Sequence, residues 1–521
     1  MSKKRIKKYN KNKYGFVKGR AINIKITLFL LLICACVFSV WILFIAPGKN
    51  TSEGTVSENR VVRVWYTDEE LKNYIDSAAI EYLDAEGVHV EPVLVSGVEF
   101  IEQLGCASVN RKDAPDIYIA GSDVLGKASM AGLTSVISDP LGVVDHDNFT
   151  QASFNAVTYK GQMIAYPFYY ETAFLIYNRD YLEEIAENDI KRALSEDSPE
   201  DGEEPADGSD SENGTEENGD VNITESDIKT RTEELIPGSI VDILSLAAVS
   251  DAPGQMENFF SWDVSDVFYN YFFAGAYMDV GGICGDDPTC IDVYNEESIR
   301  CMCIYQSLNE FFSVDSKESS YEHVLNDFME GRTLFAVVTT DAIRRLEEAK
   351  ADGTFEYEYG VAPLPGIDAD HSAAGLSTTE CVVVNGYSSN KEAANRFAEY
   401  LVFSDIDSLY DRTGKMPCAS AARSEDIVLS AGNSGAENKS VSDTIRDMYA
   451  VSEELPKVPE FADFWLRLEL AYTLVWDGED PNEILKALSE RLRSEATGSE
   501  VSENRIDTPE ITNLADMLPS D

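Results

Sequence analysis

Four histidines, His89, His146, His323 and His371, are scattered along 521 residues. None is paired at the spacing that puts two imidazoles on one helix face for zinc. No Gly-x-Ser-x-Gly elbow is present to raise a serine nucleophile on a strand-to-helix turn. Gly121-Ser-Asp-Val-Leu-Gly126-Lys127-Ala128 comes close to a phosphate-binding P-loop. It fails on two counts: Ala128 has no hydroxyl for magnesium, and Asp123 would aim negative charge into the phosphate nest. Carboxylate pairs could serve as the acid and nucleophile of a glycosidase. With 93 acidic residues, however, such pairs arise by chance. The residue types therefore call for no metal and no cofactor, and they point to binding rather than catalysis.

The cysteines divide into Cys34 and Cys36 near the N-terminus and seven more, Cys106, Cys284, Cys290, Cys301, Cys303, Cys381 and Cys418. An odd number cannot all pair internally. Cys284 and Cys290 bracket Gly-Asp-Asp-Pro-Thr, a turn sequence, and are either a small-loop disulfide or unpaired thiols. Cys284, Cys290, Cys301 and Cys303 do not follow a usual zinc spacing.

The formal net charge is -51, which argues against nucleic acid as a partner, since that partner requires clustered cations. Ten of the 42 basic residues lie between Lys3 and Lys25, ahead of Glu53, the first acid. Everything downstream is strongly acidic, a field that disfavours anionic ligands and favours neutral or cationic ones.

Ile26–Ala46 is a run of 21 residues without a charge. At about 1.5 Å per residue it crosses a hydrocarbon core of about 30 Å. The basic segment 1–25 should stay cytoplasmic and the rest should face outward, which predicts a single-pass cell-membrane protein with a large extracytoplasmic domain. The rivals are a cleaved signal peptide and a lipoprotein signal, the latter suggested by Ile33-Cys34-Ala35-Cys36. The apolar run continues from Val37 to Ala46, where either would already be polar, so an uncleaved anchor is expected.

Residues 47–60 form a polar linker. Val56-Ser57-Glu58-Asn59-Arg60 recurs as Val501-Ser502-Glu503-Asn504-Arg505, and the two copies read as spacers flanking the folded part. Strands are expected at Val61–Tyr66, Val88–Val95 and Ile117–Ile119, alternating with helices at Leu71–Leu83 and Phe100–Leu104. That alternation implies an α/β fold with a parallel sheet. Further helical patterns run over 296–312, 341–350, 391–403 and 460–475. From Glu196 to Asp220, 12 of 25 residues are acidic and only Ala206 is apolar, so this stretch cannot build a core. A disordered acidic insertion is expected over about 187–230, with order resuming near Leu235, and an acidic tail over 496–521.

Four blocks, in this order, carry a resemblance: PDIYIAGSDVLGKASMAGL (115–133), GQMIAYPFYYETAFLIYNRDYL (161–182), FMEGRTLFAVVTTDAIRRL (328–346) with YEYGVAPLPG (357–366), and LPKVPEFADFWLRLELAYTLVWDGEDPNEILKAL (455–488). With them the chain, from about Val61 to Leu492, resembles the extracellular solute-binding proteins of sugar ABC importers, the maltose-binding-protein-like family. The resemblance implies a two-lobe periplasmic-binding-protein-like fold with a ligand cleft between the lobes, preceded here by one transmembrane helix. Lobe 1 would take 61–170 and 380–427, and lobe 2 would take 171–379 and 428–495, with a crossing near Glu171. The implied partners are a small-molecule ligand, expected to be a sugar, and the permease subunits of an ABC importer.

Sugar sites combine aromatic faces for ring C–H patches with carboxylates or amides for hydroxyl pairs. By resemblance Trp465 falls on a sugar-stacking Trp, Glu171 on a cleft Glu and Asp123 on a ligand-binding Asp. Tyr66 and Asp68 fall in the loop after the first strand, and Tyr170 and Asp341 complete the expected ligand set. Each has a plainer reading. Trp465 has helical spacing to Phe461 and Leu468, which alone would make it core. Glu171 could be a hinge or capping carboxylate, and Asp123 a helix N-cap. Tyr269, Tyr271 and Phe272 read as core before they read as a second stacking surface. Ala120, Val124 and Asp341 stand where the maltose site has Trp, Arg and Trp, so a different sugar is implied, or a cation such as a polyamine. A surface glycoside-acting enzyme and a sensor subunit are the competing readings.

Overall fold

The computed structural model describes residues 61–110, 113–196, 223–312, 319–404, 406–420 and 441–511. The chain divides at Glu58, and all described residues belong to the second unit. Ile26–Ala46 and most of the acidic insertion lie outside them.

The first strands follow the expected alternation: β1 Val62–Tyr66, α1 Lys72–Glu86, β2 Val90–Leu94, α2 Phe100–Asn110 and β3 Ile117–Gly121. β1 pairs in parallel with both β2 and β3, as strands joined by helical crossovers must. α1 ends on Gly87 at φ 68°, a left-handed cap that costs glycine nothing.

After the short helix α3 (Gln151–Val157) comes β4, Tyr166–Asn178, the organising strand. Of its 13 residues only Glu171 is not buried. Its sequence is a near-continuous apolar run because both faces are covered. Downstream lie α4 (Arg179–Glu196), α5 (Glu225–Glu234), β5 (Asn258–Ser261), α6 (Glu296–Phe312), β6 (Thr333–Thr339), α7 (Asp341–Asp352) and β7 (Tyr359–Ala362). The chain then returns through β8 (Leu376–Val384), α8 (Lys391–Glu399), β9 (Met416–Pro417), α9 (Val441–Ala450) and β10 (Glu453–Glu454). It closes with α10 (Phe464–Trp476) and α11 (Pro481–Thr497).

The main sheet runs β2-β1-β3-β8-β4-β6-β5, with β7 and β9 also on β4 and β10 on β8. β4 changes partners midway. Tyr166 to Thr172 pairs with β8, and Ala173 to Asn178 pairs with β6 and β7. The exchange falls between Thr172 and Ala173, one residue beyond Glu171, near which the crossing is expected. Beyond it, the core centres on Trp262, set edge-on to Trp476 with ring centroids 5.5 Å apart.

Two expectations need correction, and one open alternative is decided. First, the ends of the expected 187–230 insertion are helical. Thr224 and Asp227 form a reciprocal capping box that starts α5, and Arg231 pairs with Asp189 of α4 at 2.5 Å. Order therefore resumes about ten residues before Leu235, at a signal the acidic composition masked. Second, the copy at Val501–Arg505 is not a free spacer. Arg493 pairs with Glu503 at 2.9 Å, and Arg505 pairs with Asp480 and Glu483 at 3.3 and 3.2 Å. The Ile506 amide then donates to the Tyr294 hydroxyl at 2.9 Å, so the tail is held as far as the described residues extend. Of the two readings open for Cys284 and Cys290, the structure has free thiols, as it has at the other five described cysteines. The Cys290 thiol donates to Asp279 at 3.1 Å, which with burial pushes its pKa up to about 11.

Candidate functional site in the inter-strand cleft

A cavity of about 370 Å³ opens beside the partner exchange of β4. The sheet supplies Glu171, Thr339 and Thr378 to it. Glu171 and Thr378 sit directly opposite in the β4–β8 register, so strand pairing alone brings the carboxylate beside a hydroxyl.

α10 supplies Trp465 and Glu469. Phe464, Leu468, Ala471, Tyr472 and Val475 form the buried face of this helix. Trp465 lies one step round it, and Glu469 follows one turn later on the same face. Trp465 is therefore half-buried in the cleft wall, its ring edge-on to Tyr271 at 6.0 Å, while Phe461 and Leu468 go to the core.

The third wall is the segment Asp266 to Tyr269. Tyr269 stacks on Tyr321 at 5.0 Å with 15° between the ring planes. Tyr321 in turn donates to Asp341 at 2.6 Å, as does the Thr339 hydroxyl, also at 2.6 Å. Asp341 does not line the cavity. It is a positioning residue at the start of α7 that fixes Thr339 and the Tyr321–Tyr269 pair. Of the three aromatics expected in the core, Tyr271 and Phe272 pack there, and Tyr269 also faces the cavity.

The adjoining wall is a carboxylate cluster around one ammonium. Lys415 pairs with Asp68 at 2.8 Å and Glu70 at 3.2 Å, and lies over the Tyr169 ring at 5.2 Å. Asp68 also caps the following turn, accepting from the Glu70 amide at 2.9 Å. Asp123 is in the turn after β3 and is not a helix N-cap, a position taken by Gly121. A Cβ on Gly121 would lie 2.5 Å from an Asp123 oxygen and 3.5 Å from a Glu380 oxygen, so the glycine leaves room for these carboxylates to converge. Burial, then the Asp123 charge, push the Glu380 carboxyl up to about 7, against the pull of Lys415. Burial and Asp341 raise Glu171 in the same way, again opposed by Lys415. Asp123 is open to solvent, yet the protein mass around it raises its carboxyl too.

Like Asp341, the expected ligand residues Tyr66 and Tyr170 do not line the cavity. In β1, Val62, Val64 and Tyr66 alternate onto the buried face, and Tyr66 is fully enclosed. Tyr170 points away from its neighbour Glu171, into the core, and stacks flat on Tyr449 at 3.9 Å. Sequence reading missed Lys415, Glu380, Thr378, Asp266 and Glu469. The run Thr378-Thr379-Glu380 ahead of Cys-Val-Val-Val carried a usable signal: polar residues two apart at the open end of an otherwise apolar strand.

No family model matches the chain. Among curated proteins it is 22% identical over 454 residues to a maltooligosaccharide ABC transporter solute-binding lipoprotein of Streptococcus pneumoniae, covering 86% of this chain and 90% of that protein. It is 20% identical over 442 residues to the maltodextrin-binding protein MdxE of Bacillus subtilis, covering 83% and 88%. In sequence and in fold the chain is similar to maltose- and maltodextrin-binding proteins. Solved structures agree on the two-lobe α/β architecture. A cyclo/maltodextrin-binding protein complexed with maltotetraose superposes with a TM-score of 0.61 at 19% identity, covering 84% of this chain and 98% of that one. The maltose-binding protein MalE of Listeria monocytogenes, complexed with maltose, gives 0.59 at 18%, covering 86% and 100%. The half-buried Trp465 and Glu171 thus lie at the strand exchange of a fold shared with these structures. Among the described residues, no helix is long and apolar enough to cross a membrane.

Proposed function

We propose that the chain is a membrane-anchored extracytoplasmic solute-binding protein that captures a sugar or oligosaccharide and delivers it to an ABC importer without chemical change. The observation that carries this reading is the meeting of Trp465 and Glu171 in one cavity, from elements far apart in sequence. An aromatic face and a carboxylate flanked by threonine hydroxyls are what a pyranose ring needs. The names of the relatives support capture for an importer, and the Streptococcus pneumoniae relative is called a lipoprotein, in keeping with attachment to a membrane. Lobe 1 is 61–170 with 380–427 and lobe 2 is 171–379 with 428–495, hinged where β4 changes partners. Anchoring falls to Ile26–Ala46, behind the basic segment.

The test is calorimetric titration with maltooligosaccharides and other di- to tetrasaccharides, followed by recovery of the sugar. Saturable binding with intact sugar returned is expected. Trp465→Ala should weaken that binding by about 2 kcal/mol or more, the loss of a large buried stacking face. Cleaved sugar would move the reading to a glycoside-acting enzyme. An unchanged affinity in a folded Trp465→Ala variant would remove the site.

A further inference from the structure

The acidic side chains Glu171, Asp266 and Glu469 line the Glu171–Trp465 cavity. No Lys, Arg or His is among its described lining residues. Burial raises all three carboxyls above their ordinary range, with Asp341 adding to Glu171, and Asp266 and Asp263 adding to Glu469. The Thr339 hydroxyl and Lys415 ease Glu171, and the Phe268 amide eases Asp266 at 2.8 Å, but among the described residues no cation forms an ion pair with any of the three. The adjoining wall does not supply the missing cation. Lys415 is committed to Asp68 and Glu70, and Glu380 and Asp123 add two further acids beside it. A neutral pyranose would leave this imbalance in place. An ammonium group would remove it, and Trp465, Phe268 and Tyr269 offer ring faces of the kind that attract cations.

Building on the sugar-binding reading above, we propose that the ligand is a sugar bearing a protonated amine, an oligosaccharide of the 2-amino-2-deoxy class. Its ring stacks on Trp465, and its ammonium sits among Glu171, Asp266 and Glu469. The carboxylates then act as counter-ions first and hydroxyl acceptors second.

The test uses the full-length protein in detergent and four probes: the β-1,4-linked glucosamine disaccharide, its di-N-acetyl form, maltose and spermidine. Acetylation keeps the skeleton and removes the charge, so the first pair isolates the ammonium. The amine form should bind roughly tenfold or more tighter than the acetylated form and maltose, an advantage of about 1.4 kcal/mol or more. The advantage should shrink several-fold between about 50 and about 500 mM NaCl. Glu171→Gln and, separately, Glu469→Gln should erase most of it. Each should unfold no earlier than wild type, which excludes misfolding as the cause. Equal or tighter binding of maltose or the acetylated form overturns the inference and leaves sugar capture standing. Binding of spermidine alone overturns both, as does failure of all three sugars to bind.

Discussion

Glu380→Gln should make the protein more stable at alkaline pH and leave it nearly unchanged in acid. The reasoning starts from the carboxyl pushed from an ordinary 4.5 to about 7 by burial and by Asp123. A proton is then held more tightly in the folded state than in the unfolded chain. Folding is favoured while the proton is on, and that contribution is lost as pH rises from about 4.5 through about 7. Above that window the folded protein carries an ionised group it would rather shed. A shift of this size corresponds to a penalty of about 3 kcal/mol on the ionised form. Partial solvent access and relaxation of the cluster bring the recoverable part to roughly 1–2 kcal/mol. Gln keeps the shape and the hydrogen-bonding capacity and removes the charge. Thermal unfolding of wild type and variant at about pH 5 and about pH 8 should show the variant ahead by about 2–4 °C at the higher pH alone. A gain of equal size at both pH values would mean that packing, not charge, is responsible. No gain at the higher pH would mean that Lys415 already neutralises the cluster.

Replacing residues 197–222 by a short Gly/Ser linker, with the α4–α5 contact through Asp189 and Arg231 kept, should leave the melting temperature and sugar affinity within error. Replacing the whole of 187–230 should instead lower the melting temperature, which differential scanning calorimetry would read directly. N-terminal sequencing of the membrane-extracted protein should find residues before Ile26, and a mature start at Cys36 or near Asn50 would overturn the uncleaved anchor.

Much of this fold was legible from local pattern. Short β-rich runs announced β1, β2 and β3, and helical patterns announced α6, α7, α8 and α10. The crossing at Glu171 came from the family resemblance, and in the fold that acid interrupts a strand otherwise buried on both faces. Trp465 was ambiguous, since its spacing to Phe461 and Leu468 is that of a core residue. Its single step round α10 is a matter of tertiary placement. Tyr66 was misplaced although the alternation Val62, Val64, Tyr66 already put it on the inner face. Tyr170 was misplaced although a strand cannot send it and Glu171 the same way. Lys415 could not be found from its neighbours in sequence, because its role is set by Asp68 and Glu70, which a long-range fold brings to it. The same holds for Glu503, whose partner Arg493 turns a polar pentapeptide into a docked tail.

The position of β8 in the sheet has a consequence for how this chain reaches its native state. β3 waits for its other neighbour until Val384, which pairs with Ile117, has been synthesised. Until then β1, β2 and β3 form a ribbon whose β3 edge has open amides and carbonyls. Pairing across so long a stretch of chain carries a high contact order and is slow. A nascent or truncated form that stops before β8 therefore presents a sticky strand edge for as long as it exists, and is prone to self-association. On the extracytoplasmic placement proposed above, the same delay keeps the chain slack until its far end has followed.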